Sequence, residues 1–145
     1  MIKGEIYKLK AEFKNKYSPK SYNHHFIYWE EIDGGYRGIM LTTSNKIGFN
    51  NIELKKEHIE AGYSFTFGKS KENPISYIAP LYLLKDINYE HLELQGKLSN
   101  DGINFISSIL FKLKSTDWLT HKKFFKLKAI LYFNIFQLIF LHIWT

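Results

Sequence analysis

The segment HHFIYWEEIDGGYRGIMLTTS, residues 24–44, decides the fold, because two runs of strand-forming residues flank a glycine turn. The first run is rich in aromatic and β-branched side chains, and the turn DGG joins it to a returning run of the same kind. On the first strand, Phe26 and Tyr28 share one face, whereas Ile27 and Trp29 share the other. Both faces carry apolar groups, so the hairpin predicts a sheet that is covered on both sides.

The two ends of this hairpin carry residues that can do chemistry. His24 and His25 begin the first strand, and Thr42, Thr43 and Ser44 end the second. In an antiparallel pair these ends are neighbours, so imidazoles and hydroxyls are expected at the same rim of the sheet. An imidazole can move a proton near neutral pH, and hydroxyls can donate hydrogen bonds to a charged phosphate. The alternative is a purely structural role, which is common for such residues at strand ends.

The segments around the hairpin predict further short elements. GEIYKLKAEF alternates and predicts an opening strand, whereas the polar segment 44–62 predicts a long loop with a short helix in its second half. The run ISYIAPLYLLKDI predicts another strand, in which Pro80 indicates either an edge strand or a break.

A helix is predicted near residues 99–114. Ser99 is a suitable N-cap, and apolar residues then recur at helical spacing, at Ile103, Ile106, Leu110 and Leu113. Several short strands followed by one helix predict a mainly β fold, a small antiparallel domain with a packed helix.

The chain changes character after this domain, so we expect a folded part at 1–114 and a basic linker with an apolar tail at 115–145. Four lysines precede the apolar run 129–145, which has about the minimum length for crossing a bilayer. Asn134 and Gln137 would be costly in hydrocarbon. Three alternatives therefore stay open: membrane contact through 129–145, a helix that is buried or faces a partner protein, or a tail that is not in its native register.

Composition limits the classes of function. A chain of 145 residues with a net charge of +6 fits one basic domain, and such domains often bind nucleic acid or an anionic membrane. The alternative is the lysine-, isoleucine- and asparagine-rich bias of AT-rich coding DNA. The chain has no cysteine, its histidines lack metal-ligand spacing, and no nucleotide-binding glycine pattern occurs. We expect no metal, no cofactor and, without an apolar leader, a cytoplasmic protein.

Three stretches resemble the MazF/PemK family of toxin nucleases in order and spacing. KGEIYKLK resembles the opening strand of that family, and HHFIYWEEIDGGYRGIMLTTS resembles its next two strands, which end at a threonine or serine. ISYIAPLYLLKDINYEHLELQGKLSNDGINFISSIL looks like its closing stretch. The resemblance covers residues 3 to about 110. Members carry an Arg-Pro pair where this chain has His24 and His25.

The resemblance implies a small SH3-like antiparallel barrel, usually dimeric, that cleaves single-stranded RNA without a metal and is restrained by an antitoxin. The catalytic residues would be His24 or His25, with Thr42 or Thr43 at the position of the family's threonine or serine. The substrate-binding residues would be Ser44, Lys46, Arg37 and Lys20. The alternatives are a non-catalytic SH3-like module that binds RNA or a peptide, and a small membrane-associated protein anchored by its tail.

Overall fold

The computed structural model describes residues 1–17, 24–33, 35–43, 50–65, 75–85 and 88–143. These residues form the strands β1 (Glu5–Leu9), β2 (Phe26–Ile32), β3 (Gly35–Thr42), β4 (Ile52–Leu54), β5 (Ser76–Lys85), β6 (Leu92–Lys97) and β7 (Lys114–Asp117). They also form the helices α1 (Asn100–Ile109) and α2 (Trp118–Ile143). The chain divides into two compact units, Met1–Ser115 and Thr116–Thr145. The prediction of a mainly β fold is confirmed.

Six of the strands form one antiparallel sheet in the order β4, β5, β3, β2, β1, β6. The sheet is not closed, so the predicted closed barrel is wrong: between the described parts of β4 and β6 no ladder forms. The chain that follows β4 instead runs along the outer edge of β6. There the Glu60 amide donates to the Lys97 carbonyl at 2.9 Å and the Phe65 amide donates to the Gln95 carbonyl at 2.6 Å.

The predicted hairpin is β2 and β3, with Phe26 opposite Met40 and Ile27 opposite Ile39. One face of the sheet holds the main apolar core, because residues at alternate positions point the same way. Fully or almost fully buried members of this core are Ile6, Ile27, Ile39, Leu54, Ile78, Leu98 and Ile106.

Helix α1 covers this core face, and its formation confirms the helix predicted near 99–114. Ser99 is the N-cap, since its hydroxyl accepts a hydrogen bond from the Gly102 amide at 3.1 Å. Ile106 and Ile109 turn inward and are buried. A single 3₁₀ turn, Leu110–Lys112, follows the helix and leads towards β7.

The opposite face of the sheet is covered by aromatic residues. This agrees with the prediction that the hairpin carries apolar groups on both of its faces. The Phe26 and Tyr36 rings lie 5.9 Å apart, and the Tyr36 and Tyr89 rings lie 5.2 Å apart. Directly before β6, the buried His91 stacks on Phe13 with ring centroids 3.9 Å apart. Two layers of packing thus hold the sheet, and functional groups lie at its ends.

Pro80 lies inside β5, which is an internal strand and not an edge strand. The β3–β5 ladder shifts register between Ile39 and Leu41, where β5 carries Pro80. β4 pairs with β5 only at Ser76–Ile78, so it has ended before the proline is reached. The missing amide of Pro80 is therefore tolerated at an irregularity.

The C-terminal unit is dominated by α2. Where its side chains are described, the large apolar ones are exposed: Leu127, Ile130, Leu131, Tyr132, Phe133, Ile135, Phe136, Leu138, Ile139, Phe140 and Leu141. Within the described part of the chain, no helix is both long enough and apolar enough to cross a membrane. Contact of residues 129–145 with a membrane surface stays a prediction.

Candidate polar site at the end of the β2–β3 hairpin

The start of β2 and the end of β3 lie side by side at one rim of the sheet. Phe26 pairs with Met40, and one step further the Leu41 amide donates a hydrogen bond to the His25 carbonyl at 2.8 Å. The hairpin therefore brings both histidines beside the last residues of β3, including Thr42. We refer to this part of the molecule as the hairpin rim.

His24 is exposed, and one nitrogen of its ring is held by the backbone. The Nδ1 atom lies 3.2 Å from the Leu41 carbonyl oxygen. A carbonyl oxygen can only accept, so Nδ1 carries the proton and donates it to this bond. In the neutral ring the lone pair is then on Nε2. This arrangement orients the imidazole and makes Nε2 its basic atom, as a general base requires.

His25 has a different environment, since it is half-buried and faces the core side. Its ring meets the Phe65 ring edge-on, with centroids 5.4 Å apart. Burial lowers the pKa of His25, the charges of Lys8 and His24 lower it further, and a side-chain hydrogen bond with Gln95 opposes them. His25 is therefore neutral at neutral pH, and it acts as a packed residue that supports the rim.

The two threonines differ in position. Thr42 is the last residue of β3, is half-buried and pairs directly with Tyr77 of β5. Thr43 follows the strand and is exposed. Since Leu41 points into the core, Thr42 points to the opposite face, the aromatic one. Ser44 lies outside the described residues.

The predicted substrate-binding cations do not all reach the rim. Arg37 lies five residues before Thr42 on β3, which corresponds to roughly 17 Å along the strand, and it pairs with Glu30. The structure therefore does not bring Arg37 to the site. Lys46 and Lys20 lie outside the described residues.

Lys8 is a basic residue at this rim that the sequence analysis missed. Tyr7 pairs with Phe26, so the next position on β1, Lys8, lies beside His25. Its ammonium group lies 4.0 Å from Glu93. Its position here follows from the pairing of β1 with β2. That pairing joins residues far apart in the sequence, so no local pattern predicts it.

The acidic and imidazole groups of the described residues do not assemble into a metal site. Among them, no set of three or more His, Asp or Glu side chains could hold a metal ion. The chemistry available at the rim is proton transfer by an imidazole and hydrogen bonding by hydroxyls.

The fold and the rim together define a mainly β protein with an open antiparallel sheet, one packed helix and a polar end on the hairpin. No protein-family model, curated protein or solved structure matches the chain.

Proposed function

We propose that the chain is a metal-independent endoribonuclease of the MazF/PemK-like kind, and that its sheet is related to the SH3-like fold of that family. It cleaves single-stranded RNA, acts as the toxin of a type II toxin–antitoxin pair, works as a homodimer and is restrained by a cognate antitoxin. The observation that carries the proposal is the exposed His24, whose Nδ1 is bound to the Leu41 carbonyl and whose basic nitrogen is Nε2.

The proposed reaction is an in-line displacement within the RNA strand. Nε2 of His24 takes the proton of the ribose 2′-hydroxyl, and the 2′ oxygen attacks the adjacent phosphorus. The bond from phosphorus to the 5′ oxygen breaks, and that oxygen takes a proton from solvent. The products are a 2′,3′-cyclic phosphate and a 5′-hydroxyl. Thr42 or Thr43 donates a hydrogen bond to the charged phosphorane.

Lys8 does not take part in this step. It lies beside His25 on the core side of the sheet, whereas Thr42 lies on the opposite face. The hydrogen bonds of the hydroxyl groups therefore balance the charge of the phosphate in this proposal.

The test is cleavage of end-labelled single-stranded RNA by the purified full chain in the presence of EDTA. We expect 2′,3′-cyclic phosphate ends, no cleavage of a 2′-deoxy strand, and a loss of about 100-fold or more with His24→Ala. His142→Ala is the matched control, because His142 is also exposed but lies on α2. Equal rates for the wild type and His24→Ala would contradict the mechanism.

The biological part of the proposal has its own test. Induced expression in bacteria should arrest growth and produce transcripts with new 5′-hydroxyl ends, and His24→Ala should do neither. A gene for a small protein that suppresses the arrest is expected next to the coding sequence. Growth arrest without new transcript ends would contradict the nuclease.

One observation favours the non-catalytic alternative, a module that binds RNA or a peptide. Only one of the two adjacent histidines is exposed, so His25 does not supply a second imidazole to protonate the leaving oxygen. A wild-type chain that binds RNA but leaves it intact would support this alternative.

A further inference from the structure

A row of three side chains crosses the sheet next to the hairpin rim. Thr42 pairs directly with Tyr77, and the neighbouring pair, Leu41 with Ile78, points into the core. Thr42 and Tyr77 therefore share the opposite face. On the other side of Thr42, the His24 imidazole lies at the peptide that joins Leu41 to Thr42.

The sizes of these side chains create a notch. Neighbouring strands lie about 4.8 Å apart, so His24 on the β2 side and Tyr77 on β5 are separated by roughly 10 Å with β3 between them. Threonine is short, whereas the imidazole and the phenol are long. Along this row, the short side chain of Thr42 therefore lies between two longer ones, and the notch is this low point. Thr42 and Tyr77 are half-buried and His24 is exposed.

A carboxylate on the neighbouring strand β4 makes the two ends of the notch electrostatically different. Glu53 on β4 pairs with Tyr77, is exposed and lies on the same face. A phosphate is repelled by this carboxylate and is expected at the other end of the row, near Thr42 and His24. The end next to Glu53 suits an uncharged group, and Tyr77 presents an aromatic ring there.

We propose that Tyr77 is a base-stacking residue, and that the notch holds one unpaired nucleotide of RNA with its base on the Tyr77 ring and its phosphate at Thr42. This inference deepens the proposed function and rests on it. Base stacking on an aromatic ring is strong and tolerates different bases. A base within a duplex is stacked on its neighbours, so the notch selects single strands.

The test measures binding separately from cleavage. The full chain is titrated into a fluorescein-labelled 2′-fluoro RNA of about 12 nucleotides, which cannot form a cyclic phosphate, and anisotropy is recorded. We expect Tyr77→Ala to weaken binding by about 5- to 100-fold and Tyr77→Phe to bind like the wild type. Tyr77→Leu keeps the apolar volume for folding and should bind like Tyr77→Ala. Tyr63→Ala is the control, since Tyr63 is an exposed tyrosine on the chain that follows β4.

A second RNA oligonucleotide, with abasic sites in place of its bases, tests whether base stacking is the interaction. If stacking is the interaction, this strand binds the wild type weakly, and Tyr77→Ala weakens it no further. Equal binding of intact RNA by the wild type, Tyr77→Ala and Tyr77→Leu would overturn the subsite, while cleavage at His24 could still stand. Binding that depends on Tyr77 without any cleavage of unmodified RNA would overturn the nuclease and leave the subsite.

Discussion

The adjacent histidines at the hairpin rim come directly before β2, and they have different physical properties because their side chains have different surroundings. His24 is exposed and has one ring nitrogen bound to a backbone carbonyl, which orients it for proton transfer. His25 packs against Phe65 and has a lowered pKa, mainly because of burial. Function is therefore expected at His24 and stability at His25, and the two roles can be separated by substitution.

The lowered pKa of His25 makes stability depend on pH. The unfolded chain binds the proton more readily than the folded one, so stability is complete above the ordinary histidine pKa of about 6.5 and is lost as the pH falls below it. We expect His25→Gln to reduce the loss of stability between pH 7.5 and pH 5.5, measured as the change in urea midpoint. Asn104→Ala, an exposed change without a titrating group, should follow the wild type. Parallel curves for the wild type and His25→Gln would contradict this assignment.

Helix α1 is attached to the chain after β4 by a close backbone contact. A Cβ atom at position 102 would clash with the His58 carbonyl oxygen, so only glycine fits. The Ser99 hydroxyl also donates to the Glu57 carbonyl at 2.7 Å, and the His58 ring stacks on Phe105 with centroids 4.4 Å apart. The helix N-terminus and the 3₁₀ turn at residues 56–58 thus form one packed joint over the core.

Gly102→Ala sets two effects against each other. Alanine favours a helix over glycine by about 1 kcal/mol, whereas the clash with the His58 backbone requires a shift that costs roughly 1–3 kcal/mol, and more if the helix separates from the turn. We expect the clash to dominate and the free energy of unfolding to fall by about 2 kcal/mol, as measured by urea unfolding. Asn104→Ala on the same helix is the control. An unchanged or raised stability of Gly102→Ala would show that the joint is looser than its geometry indicates.

The elements that could be predicted from the sequence are those whose own residues carry a recognisable pattern. The β2–β3 hairpin has two runs of strand-forming apolar residues around a glycine turn, and α1 has a serine N-cap and helical spacing. β4 was predicted as loop because it is only three residues long and gains its partners from β5. The pairing of Thr42 with Tyr77 joins residues 35 positions apart, and no local pattern encodes it.

The site was predicted in part for the same reason. The hairpin alone brings a histidine and a threonine to one rim, which alternation and turn type can predict. Which histidine is exposed depends on Phe65 and Gln95, and these come from the edge of the sheet beyond β1. The assignment of Arg37 to the rim required a closed barrel, and the open sheet removes that possibility.

The chain divides into two compact units, and their described apolar residues differ in burial. Among the residues that the structure describes, those of the main apolar core all belong to the unit Met1–Ser115. The unit Thr116–Thr145 exposes a large apolar surface along α2. Exposed apolar patches of this size promote association with any apolar partner, including a second copy of the chain.

A chain that ends at Asp117 keeps the first unit and all of β7 but lacks α2. It separates the contribution of the core to folding from the contribution of α2 to association. We expect it to unfold cooperatively in urea and to elute from a sizing column as one species at all concentrations, because its core is retained. The full chain should elute earlier as its concentration rises, since apolar surface drives association. The full-length variant Leu131→Glu with Leu138→Glu keeps the length but interrupts that surface, and should behave like the shortened chain. Concentration-independent elution of the full chain would contradict association through α2. Loss of cooperative unfolding in the shortened chain would show that α2 is needed to complete the fold.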